Sequence, residues 1–301
     1  MGLLYSQIEN QFSMGSTASA HTSNTALTYT SHIAHIDAYC QKNTTTASSK
    51  LVMVQKISTV TMNTQGGTPE INFQGQDLFD FNALATGYSP YITPSSTTNT
   101  AVEAFSLPYY FSPYPADPTE PYGIQPLQLN QVVVNWTADG THTFNTYTYD
   151  LYFEGVSPKA TNGYMVGSQD KETMVVGGNT WTKAFGKTLL GVFYGNSPVF
   201  IDGLGAGAAV NVTDVRTNAV TNSRNIIFGP FTPMRATAIN HWPQSTTAPN
   251  VLIAQGDMYM DYGIHNNTGN GGININGQSN IEIQTVGGTT NTITIYPIVL
   301  R

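Results

Sequence analysis

The sequence is poor in charge, in cysteine and in long hydrophobic runs, and each shortage argues against a class of protein. Charged residues make up 10% of the 301 residues, against about 25% in an average soluble domain. The single cysteine, Cys40, cannot form an intramolecular disulfide. No apolar run approaches the roughly 18 residues that a membrane-spanning helix needs. The N-terminus also lacks the basic and apolar regions of a secretory signal.

Basic residues are especially scarce, with 11 Lys and Arg against 18 Asp and Glu and a net charge of −7. Proteins bind nucleic acid largely by neutralising phosphates with clustered cations, so we expect no direct nucleic-acid binding here. A surface with so little charge is less soluble than most. We therefore expect neighbouring subunits to cover much of it. The alternative is a Thr/Asn-rich polar coat, as on secreted or carbohydrate-binding β proteins.

The residues that are present indicate an all-β protein. Strong helix formers are few, whereas 28 Gly and 16 Pro separate many short runs rich in β-branched and aromatic residues. Short strands separated by turn residues are typical of a β-sandwich or a β-barrel. We predict that class for the whole chain.

Two long stretches predict β-hairpins. Residues 127–154 contain two strand-like runs on either side of the turn Asp139-Gly140, and residues 280–300 repeat that layout around Gly287-Gly288. The first ends near the middle of the chain and the second at its end, so we predict two tandem β domains joined by a linker at residues 155–172. The alternative is one large sandwich with two unrelated hairpins.

The first 50 residues are predicted to form an arm with short helices. Leu4, Ile8 and Phe12 recur every four residues, which is one stripe of a helix, and Ser31 could cap a second helix to about residue 41. Such helices are marginal in water and need a partner. We expect this arm to dock on a neighbouring subunit or on lipid headgroups. The alternative is a frayed terminus.

A proline- and tyrosine-rich segment covers residues 88–126 and holds eight of the 16 prolines. Proline cannot donate to a β-ladder, so the segment predicts a long loop with one strand near residues 101–107. Tyrosine gives large amphipathic contact area, so we predict a surface that contacts another subunit. The alternative is a loop folded back over its own domain. The predicted contact residues are Tyr88, Tyr91, Tyr109, Tyr110, Phe111 and Tyr114.

No motif predicts a catalytic, cofactor or metal site. Residues 203–208 have the glycine spacing of a dinucleotide fingerprint, but a strand-like run follows where that site needs a helix. His32 and His35 have a spacing that can bind a metal, but no cluster of carboxylates or cysteines completes a ligand set. Asp257, Asp261 and His265 allow the paired carboxylates of a glycosidase, yet 18 acids in a β protein produce such pairs by chance.

In this layout the sequence resembles the double jelly-roll major capsid proteins of tailless icosahedral viruses, the lineage of adenovirus hexon and membrane-containing phages. The features that carry the resemblance are the two β domains of similar length, the N-terminal arm, the loop at residues 88–126 and the strand-like end at residues 291–300. No signature motif contributes to it.

The resemblance implies two tandem eight-stranded jelly rolls at residues 51–160 and 170–301, preceded by the helical arm at residues 1–50. The arm, with Leu4, Ile8 and Phe12, would lie on the inner face of the shell. It also implies a structural virion protein without catalytic activity, located in the capsid. Three chains would form a pseudo-hexagonal homotrimer that tiles an icosahedral shell. The expected partners are further copies of the chain, with an internal membrane or minor capsid proteins as additional candidates.

Two other functions remain open from the sequence. A carbohydrate-binding or glycoside-hydrolysing β-sandwich would use the same aromatic residues to stack on sugars, and it would need a carboxylate pair in a cleft. A phage fibre or spike protein shares the Thr/Asn/Gly-rich composition, but it predicts a fixed short repeat that the sequence lacks.

Overall fold

The structure is a computed structural model, and it describes the chain in segments. These are residues 5–8, 12–14, 19–23, 27–42, 54–64, 69–86, 90–93, 98, 101–112, 122–126, 128–136, 144–156, 163–175, 177–184, 188–195, 211–220, 225–231, 258–261, 273–274, 278–286 and 291–301. The chain divides into two compact units, and the main division along the sequence falls between Val166 and Gly167.

Residues 1–156 contain nine described strands and one helix. In chain order they are β1 (Tyr5–Ile8), β2 (Phe12–Met14), β3 (Ser19–Ser23), β4 (Thr30–Lys42), β5 (Ile57–Thr64), β6 (Pro69–Phe73), α1 (Gly75–Thr86), β7 (Val102–Tyr110), β8 (Leu129–Trp136) and β9 (Phe144–Val156). They form two sheets, ordered β1-β9-β4-β7 and β3-β8-β5-β6, and β2 also pairs with β9.

The strands that follow in the sequence repeat this arrangement. They are β10 (Met165–Gly167), β11 (Asp170–Met174), β12 (Gly177–Ala184), β13 (Thr188–Gly195), β14 (Asn211–Val220), β15 (Asn225–Phe231), β16 (Met258–Asp261), β17 (Ile273–Asn274), β18 (Gln278–Val286) and β19 (Asn291–Leu300). Their sheets are ordered β10-β19-β13-β16 and β12-β18-β14-β15; β11 also pairs with β19, and β17 with β13.

Both pairs of sheets have the strand order of a jelly roll. In the first pair, β1 and β2 lie in one sheet, β3 in the other and β4 in the first again. β5 and β6 then lie together in the second sheet, and β7, β8 and β9 alternate between the two. The second pair follows the same path, with β10 and β11 in place of β1 and β2, and β16 and β17 in place of β7. In each, the last strand lies between the first strand and a strand from the middle of the series. Two tandem jelly rolls confirm the predicted all-β fold class.

The two hairpins predicted from the sequence are wrong. All four strands exist, but β8 and β9 belong to different sheets, and so do β18 and β19. A turn signal shows that the chain reverses without showing which sheet it enters. After β8 and after β18 the chain crosses from one sheet to the other, as jelly-roll connections commonly do, so the strands on either side of these two reversals are not paired.

The helices predicted in the first 50 residues are also wrong, because the described parts are strands. β1 and β2 pair with β9, β3 pairs with β8, and β4 pairs with both β7 and β9. A short helix alone in water is marginal, whereas the 13-residue strand β9 offers a continuous row of backbone partners. This segment therefore supplies strands of the first jelly roll, which corrects the predicted start of that roll at residue 51.

Strand β4 shows the signal that the helical interpretation missed. Ala34, Ile36, Ala38 and Cys40 are buried, while the residues between them are partly or well exposed. This alternation has period two, which is typical of a strand with one buried face. Ile33 and Ile36, whose spacing of three would place them on one side of a helix, lie on opposite faces of this strand.

Helix α1 lies between β6 and β7, and it is buried on all sides. Its core residues include Leu78, Phe79, Phe81 and Leu84, and the polar Asp80 is buried with them. The Gln76 amide nitrogen donates to both carboxylate oxygens of Asp80 at 2.8 Å, which compensates for burying that charge.

In the part of the chain that is described, no helix has the length and hydropathy to cross a membrane.

A tight turn between β11 and β12 is held by Asn179. The Asn179 side chain accepts a hydrogen bond from Val175 N at 2.8 Å and donates to Val175 O at 2.8 Å and Gly177 O at 3.2 Å. Gly177 has a φ of +105°, a conformation that other residues rarely adopt.

We expect Asn179→Ala to lower the free energy of unfolding by about 1–2 kcal/mol, because the turn loses three hydrogen bonds made by a buried side chain. Chemical denaturation followed by intrinsic fluorescence measures the change. The companion variant is Asn179→Asp, which keeps an acceptor for Val175 N but turns its second carboxylate oxygen towards the carbonyls of Val175 and Gly177. It should therefore be no more stable than the alanine variant. An alanine variant as stable as the parent would contradict this role of the side chain.

Candidate assembly surface

The pairing of β4 with β7 places one set of side chains from both strands on the outer side of their sheet. The register matches Ile33 with Tyr110 and Tyr39 with Ala104, with two-residue steps between. Alternate residues of β7 are buried, and the residues between them are partly or well exposed. The outer set, which we call the β4–β7 face, comprises Ile33, His35, Asp37, Tyr39, Gln41, Val102, Ala104, Ser106, Pro108 and Tyr110.

Two of the predicted contact residues belong to the core instead. Tyr109 and Phe111 are 2% and 0% exposed. Their rings meet edge to face with centroids 5.4 Å apart, and Tyr109 lies 6.0 Å from Phe73. The prediction of subunit contacts is therefore corrected for these two residues, because a neighbouring chain cannot reach them. Their signal was the alternation in β7, which puts Tyr109 on the buried face.

The hydroxyl of Tyr109 has a structural role in this core. It donates a hydrogen bond to Met165 O at 2.9 Å, while Met165 N donates to Phe111 O at 2.7 Å. Burial raises the pKa of Tyr109 well above its ordinary value, with further contributions from Tyr164 and Glu70, so the phenol keeps its proton and remains a donor. Nearby, the Tyr164 hydroxyl donates to Glu70 Oε2 at 2.6 Å. These bonds attach the segment that follows β9 to the first unit.

The outer edge of β7 is covered by its own chain. Thr93 N donates to Ala104 O at 2.8 Å, Ser106 N donates to Tyr91 O at 2.9 Å, and Ala104 N donates to Thr93 Oγ1 at 2.9 Å. Residues 91–93 thus fold back along β7, which agrees with the alternative interpretation of the proline-rich loop for this part. Farther along the edge, Pro108 has no N–H to offer and its carbonyl accepts a hydrogen bond from Asn82 Nδ2.

A polar cluster of His35, Asp37 and Ser106 lies in the middle of the β4–β7 face. His35 Nδ1 is 3.4 Å from Asp37 Oδ1 and 3.4 Å from Ser106 Oγ. A serine–histidine–aspartate triad needs the carboxylate on one ring nitrogen and the hydroxyl on the other. Here both groups approach the same nitrogen, so the cluster cannot pass a proton between them and is not a hydrolytic site.

Asp37 is expected to make the first unit sensitive to acid. Burial raises its pKa, but hydrogen bonds from His35 and Ser106 and the charge of His35 outweigh burial and leave the pKa below its ordinary value. A lowered folded-state pKa contributes stability above the unfolded-state pKa, and this is lost as pH falls through the folded-state value. As the pH is lowered from about 5, the free energy of unfolding should therefore fall less in the Asp37→Asn variant than in the parent. The difference should be about 1 kcal/mol or less.

Denaturant titrations of both proteins across that pH range measure this difference. His35→Gln is the companion variant, since it removes the positive charge and leaves the carboxylate in place. Identical acid profiles for the parent and Asp37→Asn would contradict the assigned role of Asp37.

One end of the β4–β7 face exposes large hydrophobic side chains. Tyr39 is 41% exposed, Val102 is 64% exposed, and Tyr91 on the adjoining edge segment is 64% exposed. Val175, at 46%, is the other large hydrophobic residue with comparable exposure among those described. Of the predicted contacts, Tyr91 is thus at the surface and Tyr110 is partly buried, while Tyr88 and Tyr114 lie outside the described residues. Tyr39 is not among the predicted contacts, because the sequence pattern in this segment predicts a helix.

The remaining sequence candidates do not assemble into a site in the described parts of the chain. Ile8 and Phe12 are in β1 and β2, while Leu4 lies outside the described residues. His32 is buried in β4 and His35 is on the outer face, so they do not form a pair. Asp261 ends β16, whereas residues 203–208, Asp257 and His265 are outside the described residues. The residues described include no group of three or more potential metal ligands.

The sequence matches no protein-family model and no curated protein sequence. Solved structures do match over nearly the whole chain. The major capsid protein of bacteriophage PM2 has a TM-score of 0.58 at 9% identity, covering 99% of this chain and 98% of its own. The major capsid protein (MCP) of Sulfolobus turreted icosahedral virus (STIV) has a TM-score of 0.65 at 9% identity, covering 98% of this chain and 95% of its own.

A third match is the PBCV-1 virus capsid, with a TM-score of 0.56 at 10% identity, covering 98% of this chain and 93% of that one. At such low identity the agreement establishes the fold, and it extends across both units. Together with the strand order, these matches show that the chain has the double jelly-roll fold of viral major capsid proteins.

Proposed function

We propose that this chain is the major capsid protein of a tailless icosahedral virus and that its role is structural. The observation that carries the proposal is the tandem repetition of one jelly-roll strand order, in a fold matched end to end by viral capsid proteins. The division near Val166 supports a boundary between the two rolls within residues 155–173.

The tandem repeat also supports a particular assembly. Three copies of a chain with two similar rolls would bring six similar rolls around one axis, which gives a trimer a pseudo-hexagonal outline. Such trimers can tile a shell, and the low content of charge suits a protein whose surface is largely covered by its own copies. Tyr91 and Tyr110 remain proposed contact residues in this assembly.

The proposed partners are the other two chains of the trimer and the neighbouring trimers, and the proposed location is the virion shell. An internal membrane or minor capsid proteins are further proposed partners, with no nucleic acid bound directly. No catalytic step is assigned to the chain. The β4–β7 face carries one carboxylate, Asp37, whereas a glycosidase needs a pair. Two jelly rolls also differ from the short fixed repeat expected of a fibre.

Light scattering coupled to size-exclusion chromatography tests the proposal on the purified full chain. The expected mass is three times the 32.5 kDa of one chain, and negative-stain microscopy should show hexagonal particles. A chain that stays monomeric up to high concentration, with no hexagonal particles, would overturn the proposed function.

A further inference from the structure

We propose that the hydrophobic end of the β4–β7 face, around Tyr39, Val102 and Tyr91, is the surface that a second copy of this chain covers. The inference rests on the proposed capsid function and specifies the contact that the function requires. It moves the predicted contact from Tyr109 and Phe111, which are core residues, to side chains that a neighbour can reach.

The exposed residues form one patch rather than scattered positions. Tyr39 lies directly opposite Ala104 in the β4–β7 register, and Gln41 lies opposite Val102. The backbone of Tyr91 is hydrogen-bonded to Ser106 on the same strand. Three of the four large, strongly exposed hydrophobic side chains among the described residues therefore lie along one face of one sheet, with Tyr39 and Val102 towards its end and Tyr91 beside Ser106. A grouped patch of this kind is typical of an interaction surface.

The charges on the face select the kind of partner. Its described side chains include no Lys or Arg, and its one carboxylate, Asp37, lies beside His35. An anionic lipid surface or a polyanion needs basic residues, which the face lacks. A second copy of a chain with net charge −7 needs an approach that avoids repulsion between acidic surfaces. A nearly neutral face with exposed tyrosines meets that requirement.

The backbone shows how such a contact would form. Residues 91–93 and the Asn82 side chain already occupy outward-facing groups of β7, so a neighbour cannot simply add a strand at those positions. The contact must therefore use side chains on the face. A charge placed there would be desolvated on association, and the effect on folding of one chain should be small because Val102 is 64% exposed.

The test uses Val102→Glu in the full chain, measured by light scattering over a range of protein concentrations. We expect the variant to fold normally and its trimer to be at least about tenfold weaker than that of the parent. Val175→Glu is the matched control, because Val175 is also an exposed valine, at 46%, but lies between β11 and β12, away from the β4–β7 face. It should form trimers as the parent does.

The outcomes separate this inference from the function on which it rests. A trimeric parent with an equally trimeric Val102→Glu would overturn the interface and leave the capsid function standing. A parent that never associates would overturn the function, and the interface with it. Equal loss of trimer in both glutamate variants would also overturn the inference, because the effect would then not be specific to this face.

A second measurement keeps the proposal testable if Val102→Glu does not fold. A photo-crosslinking benzoylphenylalanine replaces Tyr91, whose side chain is well exposed in the parent. Irradiation of assembled protein should yield a crosslinked dimer, with the attached peptide identified by mass spectrometry. Crosslinks confined to the same chain, or to lipid or sugar added to the sample, would overturn the assignment of a second copy.

Discussion

Replacing Gly155 by alanine is expected to prevent the first jelly roll from folding, or to destabilise it by at least about 4 kcal/mol. A Cβ at this position in β9 would clash with the carbonyl oxygen of Thr30 and lie 2.9 Å from Ser31 Cα. The start of β4 cannot move away, because Ser31 is held on its other side by reciprocal 2.9 Å hydrogen bonds with Ile124. Both Thr30 and Ser31 are fully buried.

Gly177→Ala is the comparison for this experiment. Its φ of +105° strains an alanine, but a Cβ there would meet no atom within 4 Å. The cost should be limited to conformational strain of about 1–3 kcal/mol. Soluble yield, circular dichroism and denaturant unfolding of both variants give the result. If Gly155→Ala proves no more destabilising than Gly177→Ala, the close approach of β9 to β4 is wrong.

Deleting residues 1–30 should also unfold the first unit, which is the second large effect we expect. The deletion removes β1 and β2 from their pairing with β9, and β3 from its pairing with β8. It also removes Leu27 and Tyr29, which are 3% and 5% exposed. Two sheets would lose edge strands at once, and a ladder of unpaired backbone groups would be left on β8 and β9.

Circular dichroism and size-exclusion chromatography of the truncated chain measure this outcome. A shorter deletion, of residues 1–18, removes β1 and β2 but keeps β3, so its damage should be smaller. Soluble, β-rich trimers from the longer deletion would instead support the arm that the sequence pattern predicts, outside both jelly rolls.

The all-β class could be predicted from the sequence because it follows from local composition. Residues such as Val132 and Val134 favour strands wherever they pair, and Gly and Pro mark where strands end. The tandem layout was predictable for the same reason, since a similar pattern occurs twice. The likeness to viral capsid proteins followed from that layout.

Strand pairing could not be predicted, because it depends on contacts between residues far apart in sequence. Asp139-Gly140 indicates a reversal equally well for a hairpin and for a crossing between two sheets. The start of β4 lies against both β9 and Ile124, about 125 and 93 residues away along the chain, and no local pattern records such distances.

The exposed residues of the proposed assembly surface could be predicted only in part. The tyrosine- and proline-rich segment contains Tyr91 and Val102, which are both well exposed. Composition could not separate exposed from buried tyrosines, because Tyr109 and Tyr110 are adjacent and differ only in the side of β7 on which they lie. The exposure of Tyr39 could not be predicted, because it depends on the pairing of β4 with β7 in three dimensions.

The closed edge of β7 has a consequence for how copies of this chain behave when they are crowded. An open strand edge can recruit another chain through its backbone alone, and this recruitment ignores side-chain identity and continues without limit, as in amyloid. Pro108, Asn82 and residues 91–93 block that route on the strand that borders the exposed hydrophobic patch. Association there has to proceed through side chains. The chain can therefore bind another copy through one hydrophobic face, and the assembly stops growing once that face is occupied.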